Sequence, residues 1–130
     1  MSTLDELEHD EWPPADPDAT YLVRRCHELR RKDVAEFTAG DLRIMLGQQI
    51  GVPFLLPRAV DILVRDPLAV GDYYPGDLLR SVARLPPSAW ATCPERRADL
   101  LAAIAGLEPE DKHLEEALVA FRAAFAQGLT

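Results

Sequence analysis

Histidine and cysteine are the residue types in this chain that could bind a metal ion or transfer protons. His9, His27 and His113 are far apart, and Cys26 directly precedes His27, so on a helix their side chains would not face each other. His113 and Glu116 lie one helical turn apart, but a metal site needs three or four ligands. The sequence therefore predicts no metal site and no cofactor.

Serines, glycines and acidic pairs give no sign of catalysis either. None of the three serines stands in a G-x-S-x-G context, and the glycines of residues 47–51 lack the Lys-Ser/Thr of a phosphate-binding loop. Acidic pairs such as Asp72/Asp77 and Glu110/Asp111 lie where loops meet helices, where carboxylates usually act as helix caps. We therefore expect a protein that is not an enzyme.

Tyr73 and Tyr74 form an aromatic pair in a loop that is flanked by acids. Exposed tyrosines are common at the energetic centres of protein–protein interfaces. The same pair could instead cover the hydrophobic core beside Pro75. The sequence leaves both interpretations open.

The elements that position these residues are organised around the most apolar segment, residues 47–67. Gly51 can cap a helix, Pro53 suits its first turn, and Pro67 ends it, which predicts a helix over about residues 52–66. Apolar side chains cover most of its circumference, as is typical of a buried helix.

Five further helices are predicted by apolar spacing and by cap residues. Thr38 and Asp41 fit a capping box, and Leu114, Leu118, Phe121 and Phe125 form an amphipathic stripe. No segment shows the two-residue alternation of a hairpin strand. We expect an all-α compact bundle of five to six helices with short Pro/Gly loops, packed around the buried central helix. The other helices are predicted over residues 21–32, 39–49, 75–85, 94–105 and 109–127.

The first of these helices is basic along one side. Tyr21, Leu22, Cys26 and Leu29 are predicted to face inward, and cations follow them toward the helix end. The cations could form a phosphate-binding patch, or a solvated face that compensates the helix dipole. They are Arg24, Arg25, Arg30, Arg31 and Lys32.

Charge is distributed unevenly along the chain, whose net charge is −8. Residues 1–20 hold seven acids and no Lys or Arg, whereas the remainder holds 15 acids and 14 basic residues. Residues 1–19, the acidic leader, also contain three prolines, so we expect a mobile leader before a single helical domain over residues 20–130. The leader could bind a basic partner or fold back on its own basic neighbour.

Composition also indicates a cellular location. The acidic N-terminus is unlike a signal peptide, and no apolar run is long enough to span a membrane. We therefore expect a cytosolic protein. Cys26 and Cys93 do not form a disulfide framework and are predicted to be free, buried thiols. The nearly neutral domain argues against nucleic-acid binding by its whole surface.

The segments at residues 41–63 (DLRIMLGQQIGVPFLLPRAVDIL) and 66–79 (DPLAVGDYYPGDLL) resemble the immunity proteins of contact-dependent growth inhibition (CDI), of the helical CdiI type. The resemblance rests on the order and spacing of D-L-R, G-Q, an internal Pro-x-Ala and D-P-L-x-x-G-D-x-Y-P-G-D-L-L. It implies a cognate antidote that binds a toxin C-terminal domain, often a nuclease, in the cytosol. The matching residues are mostly glycines, prolines, leucines and capping aspartates, which determine the scaffold rather than the contact surface.

From this resemblance we expect an acidic surface to occlude the toxin's active site without a covalent bond. We expect neither a membrane nor nucleic acid as a partner. The protein itself is expected to be a monomer or a weak dimer. The alternative is a helical interaction or adaptor module, which could be linked to nucleic acid through its basic first helix. The candidate toxin-binding residues are Asp5, Glu6, Glu8, Asp10, Glu11, Asp72, Tyr73, Tyr74, Asp77, Glu108, Glu110 and Asp111.

Overall fold

The computed structural model describes residues 2–128, and the side chains of residues 2–124. Over this range the chain is an all-α bundle, as the sequence predicts, with an isolated bridge between Val70 and Pro75 and no named strand. The helices are α1 (Leu4–Leu7), α2 (Tyr21–Leu29), α3 (Ala39–Gly47), α4 (Val52–Arg65), α5 (Asp77–Ala83), α6 (Pro94–Ile104) and α7 (Lys112–Gly128), with 3-10 turns at Val34–Glu36 and Pro87–Trp90.

Helix α3 begins at the predicted capping box. The Thr38 hydroxyl accepts a hydrogen bond from the Asp41 N–H, and the Asp41 carboxylate accepts one from the Thr38 N–H, both at 3.1 Å. Two of the donors that a helix leaves unsatisfied at its start are thereby paired. This box fixes where α3 starts and holds the Asp41 carboxylate close to α2.

Helix α4 is the central helix, and it packs against α3, α5 and α6. Its inner face consists of Leu55, Leu56, Ala59, Val60 and Leu63, which are all fully buried. Its outer side is exposed to solvent: the exposed fraction is 36% for Phe54 and 47% for Val64. The helix is therefore buried along one side, although its composition is apolar nearly all round.

Helix α5 begins at Asp77, so the predicted start at Pro75 is wrong. Gly76 occupies the cap position with φ +93°, a left-handed conformation that glycine adopts without a steric penalty. Pro75 instead bridges Val70 in the preceding loop. A proline's fixed φ suits a bridge as well as a first helical turn, which is why the residue type alone was ambiguous.

Helix α7 begins at Lys112 and not at Pro109, because the Asp111 carboxylate accepts the Leu114 N–H at 2.9 Å and caps the helix there. Leu114, Leu118 and Phe121 are buried, which confirms the stripe for these three positions. The side chain of Phe125, the fourth member, lies outside the described residues.

The inward face of α2 differs from the predicted one. Cys26 and Leu29 are buried as expected, but Tyr21 is 70% and Leu22 is 40% exposed. The side chain that completes the buried face is Arg30, just after the helix end, with an exposed fraction of 1%. A fully buried cation at this place requires partners, and these come from the acidic leader.

Both cysteines are free and buried, as predicted, and burial raises the pKa of each thiol. Among the helices that the structure describes, none is both long and apolar enough to cross a membrane.

Candidate functional site

The guanidinium of Arg30 joins helix α2 to the acidic leader. Its Nε donates to Asp5 Oδ1 (2.7 Å), one terminal nitrogen donates to Glu8, and the other donates to the Asp10 carbonyl oxygen (2.9 Å). The Trp12 ring covers the guanidinium at 4.3 Å. Because a buried charge is tolerated only with such partners, the leader residues complete the fold around Arg30.

Backbone contacts bind the start of the leader to the domain as well. Leu4 in α1 is fully buried, and the Asp5 N–H donates to the Arg30 carbonyl at 3.2 Å. The Val34 N–H donates to the Ser2 carbonyl at 2.9 Å. The structure therefore shows the leader folded back on its basic neighbour, which is one of the two interpretations that the sequence left open. Whether residues 1–19 are mobile in solution stays a prediction.

Two further cations of this region, Arg25 and Lys32, contact acids of the same chain, while Arg31 donates to the Trp12 carbonyl oxygen at 3.0 Å. Arg25 pairs with Glu28 (3.1 Å) and with Asp41 (3.2 Å), and Lys32 pairs with Asp41 at 2.7 Å. Burial would raise the pKa of Asp41, but the Lys32 hydrogen bond, the Thr38 N–H and the charges of Lys32 and Arg25 together lower it. Because these cations are already paired within the chain, the structure favours charge compensation over a phosphate-binding patch on the basic helix.

The outer side of the leader forms an open, acidic concavity with a volume of about 710 Å³. Glu6, Asp10 and Glu11 are exposed in it, and Asp5 lies at its inner wall beside Arg30. We refer to this feature as the leader concavity; Thr3, His9 and Arg31 complete its lining. Its excess of carboxylates suits a basic side chain of a partner.

The Asp77 carboxylate organises residues 71–77, which we call the aspartate loop. It accepts three backbone N–H groups, from Gly71 (2.6 Å), Asp72 (2.8 Å) and Tyr73 (2.9 Å). Burial would raise the pKa of Asp77, but these hydrogen bonds lower it. Asp77 is only 3% exposed, so it has to be removed from the candidate contact surface: its carboxylate is engaged inside the fold.

Arg43 of α3 holds the outer side of the aspartate loop. Its Nε donates to Asp72 Oδ2 (2.9 Å), and its guanidinium lies 4.7 Å from the centre of the Tyr73 ring. Tyr73 is 76% exposed, whereas Tyr74 is half-buried. Each interpretation therefore fits one of the two tyrosines. Tyr73 is available for contact with a partner, on a loop that is held in place, whereas Tyr74 packs partly against the protein.

The third acidic group precedes helix α7 and lies next to the aspartate loop. Glu108, Glu110 and Asp111 are all exposed. Leu114, in the first turn of α7, packs so closely on Gly76 that a Cβ added there would lie 2.7 Å from Leu114 Cδ2. The structure therefore places the first turn of α7, which follows this group, against the aspartate loop, while the leader packs on α2 and on Gly51 just before α4.

The residue that the sequence interpretation missed is Arg30, which was counted among the cations of either a phosphate-binding patch or a solvated face. The signal was present, since Arg30 follows Cys26 by four residues and so shares its inward side. Within residues 2–128, no group of three or more His, Cys, Asp or Glu side chains could hold a metal ion.

Comparison with known proteins identifies a matching family. The family that is described as CDI immunity proteins matches residues 6–100. The matched range contains most of the leader, helices α2–α5 and the aspartate loop, and so extends well beyond the segments at 41–63 and 66–79. No curated protein matches the chain.

Proposed function

The chain belongs to the CDI immunity proteins, and from this premise we propose that it neutralises a nuclease toxin by covering the toxin's active cleft. Membership of the family gives the general role, which is immunity against CDI toxins. The nuclease activity of the toxin and the occlusion of its cleft are the proposal.

The observation that carries the proposal is the leader concavity. A nuclease needs a positively charged cleft to hold phosphate groups. Exposed carboxylates of Glu6, Asp10 and Glu11 offer such a cleft the opposite charge, and would also accelerate association by electrostatic steering. Because Asp5 and Glu8 bind Arg30, they hold the concavity in shape and leave the other three acids for the toxin.

A second contact area is provided by Tyr73 with its neighbour Asp72. Glu108, Glu110 and Asp111 extend this area, since Leu114 packs against Gly76. A rigid loop that presents an exposed tyrosine loses little conformational entropy on binding, which favours affinity. Tyr74 supports the loop from its half-buried position.

The test is the association rate with the catalytically inactivated cognate toxin domain, measured at low and at high salt. The variant replaces Glu6, Asp10 and Glu11 by Lys. We expect its association rate to fall by about tenfold or more at low salt, and the difference to shrink at high salt. A matched control reverses Glu95, Glu115 and Glu116, which are exposed on α6 and α7.

Two results would contradict the proposal in different ways. Equal rates for the leader variant and the control would remove the leader acids from the mechanism. Failure of the unaltered protein to bind or to inhibit the toxin would refute occlusion itself.

We also propose that the protein acts in the cytosol by binding alone, as a monomer or weak dimer and without catalysis of its own. A band-shift experiment with DNA and RNA tests the adaptor alternative, in which the basic helix α2 binds nucleic acid. Because Arg25, Arg30 and Lys32 pair with acids of this chain, we expect no shift.

A further inference from the structure

A groove between the end of α3, α5 and α7 has the chemistry of a third contact site. It consists of two concavities that share Arg84 and Leu85 as a common wall. One concavity, of about 320 Å³, is apolar, with Trp90 and Phe121 in its lining. The other, of about 180 Å³, is polar and contains Gln49, Arg80 and Ser81. We call the two together the docking groove.

Two hydrogen-bond donors in the residues of this groove have no partner. The Trp90 Nε1 and the Arg80 Nε are both buried, and Trp90 as a whole is only 2% exposed. Buried polar groups without a partner are rare, and each costs stability until an acceptor reaches it. Both groups donate, so the ligand that satisfies them has to supply acceptor oxygens.

The charge of the docking groove is opposite to that of the chain as a whole. No acidic side chain is among the described residues that line either concavity, whereas Arg80 and Arg84 are. Residues 21–130 hold 15 acids and 14 basic residues, so a lining with arginines and without acids is locally basic. It favours a carboxylate, next to an apolar side chain that fills the space beside Trp90.

Backbone strain at Gln49 points to the same groove. Helix α3 ends with hydrogen bonds from Ile50 N–H to Met45 O (2.9 Å) and from Gln49 N–H to Leu46 O (3.0 Å), and Gln49 has φ +57°. Glycine is the usual residue at this position of such a helix end, because it avoids the steric cost of the left-handed conformation. A glutamine at this position lowers the stability of the free protein. Its side chain lines the groove, and contacts that it makes with a bound partner would offset this loss.

The turn of residues 47–51 connects the docking groove to the place where the leader enters the core. Gly51, two residues beyond Gln49, packs on the buried side chain of Leu4, where an added Cβ would lie 2.8 Å from Leu4 Cδ1.

We propose that the docking groove binds a segment of the cognate toxin in which a carboxylate adjoins an apolar side chain. The carboxylate pairs with Arg80 and Arg84, the apolar side chain packs on Trp90 and Phe121, and a backbone carbonyl oxygen of the same segment accepts from Trp90 Nε1. This inference rests on the proposed function, because it assigns a third contact to the same partner.

The experiment uses the full chain and the inactivated toxin domain. Arg84→Glu reverses an exposed charge in the groove, and Arg58→Glu is the matched control on the exposed side of α4. We expect Arg84→Glu to weaken toxin binding by about 30-fold, as for a residue at the centre of an interface, and Arg58→Glu to leave it unchanged. Equal affinity of Arg84→Glu and the control would overturn the proposal.

Gln49→Gly separates a binding role from a structural one. Removal of the strained side chain should raise the unfolding midpoint while it weakens toxin binding by about tenfold. A variant that is more stable and binds the toxin with full affinity would contradict a role of Gln49 in the groove.

Fluorine NMR of the protein labelled with fluorotryptophan reports the groove directly, since the chain has only two tryptophans and Trp12→Phe assigns their signals. Addition of unlabelled toxin should shift the Trp90 signal. A Trp90 signal that stays in place while the toxin binds would overturn the groove and leave the proposed function standing. A change in the sedimentation of the protein alone on Arg84→Glu would instead assign the groove to a second copy of this chain.

Discussion

Arg30 donates from its Nε to Asp5 Oδ1 across 2.7 Å, and this bond connects helix α2 to a segment 25 residues earlier in the chain. The guanidinium is 1% exposed and the Asp5 side chain is 10% exposed, so the pair is shielded from water. Glu8 and Trp12 complete the surroundings of the cation. An acidic leader that would otherwise repel itself is thereby held by one central positive charge.

Removal of this cation should destabilise the whole domain. Arg30→Met keeps most of the side-chain volume but leaves Asp5 and Glu8 without their buried counter-charge, and we expect a loss of about 3–5 kcal/mol in the free energy of unfolding. Urea denaturation measures it. Arg24→Met, on the exposed side of the same helix, is the control and should change stability by less than about 0.5 kcal/mol. Equal midpoints for the two variants would show that the leader is not held by Arg30.

The aspartate loop should depend on the charge of Asp77 in the same way. Asp77→Asn replaces a carboxylate by an amide that has one acceptor oxygen, so that at least one of the three loop N–H groups loses its partner. We expect a loss of about 2–3 kcal/mol in urea denaturation. Asp72→Asn, which affects an exposed ion pair, should cost at most about 1 kcal/mol. The reverse order of the two losses would contradict this account.

Acid should unfold the protein through Asp41 and Asp77. Their pKa values in the folded state are lowered, so below neutral pH the unfolded chain binds protons more readily than the folded one does. The stability that they contribute is complete above the ordinary carboxyl pKa of about 4, and is lost as the pH falls through the lowered values. Unfolding free energies measured from pH 7 down to about pH 2 should fall less steeply for Asp77→Asn than for the unaltered protein. If the unfolding free energies of the two proteins fell in parallel as the pH was lowered, protonation of Asp77 would not contribute to acid unfolding.

Two glycines should respond in opposite directions to the same substitution. At Gly47, the end of α3, an added Cβ would meet only Ser81 Oγ at 3.9 Å, so Gly47→Ala should raise stability by about 0.4–1 kcal/mol. At Gly51, φ is +66° and the Cβ would lie 2.8 Å from Leu4, so Gly51→Ala should lower stability by more than about 1 kcal/mol. Thermal unfolding of the pair measures both, and a shift in the same direction would refute the assignment.

Local patterns predicted much of the bundle, because caps and apolar spacing act within a few residues. The capping box of Thr38 and the end of α4 before Pro67 are of this kind. The pairing of Arg30 with the leader could not be predicted so readily, because it joins residues more than 20 positions apart. Asp77 is a different case, because its partners lie only four to six residues away. The sequence offered it both as a helix cap and as a contact residue, and the loop that folds over its carboxylate excludes the second assignment.

The candidate site was predictable in part for the same reason. Tyr73 was singled out by its residue type and loop position, and it is the exposed member of its pair. Gln49 and Trp90 gave no signal, because a left-handed backbone and an unpaired indole N–H are visible only once helices α3, α5 and α7 are assembled.

Tyr73 should contribute to toxin binding without contributing to stability. Its ring is 76% exposed and stacks on Arg43, which already holds it in one orientation. Tyr73→Ala should therefore weaken affinity for the inactivated toxin by about tenfold or more, with little change in the unfolding midpoint. The control is Tyr21→Ala, since Tyr21 is 70% exposed at the start of α2 and belongs to none of the proposed contact areas. If both variants bound the toxin as the unaltered protein does, the aspartate loop would lie outside the interface, and the leader concavity and the docking groove would have to account for recognition.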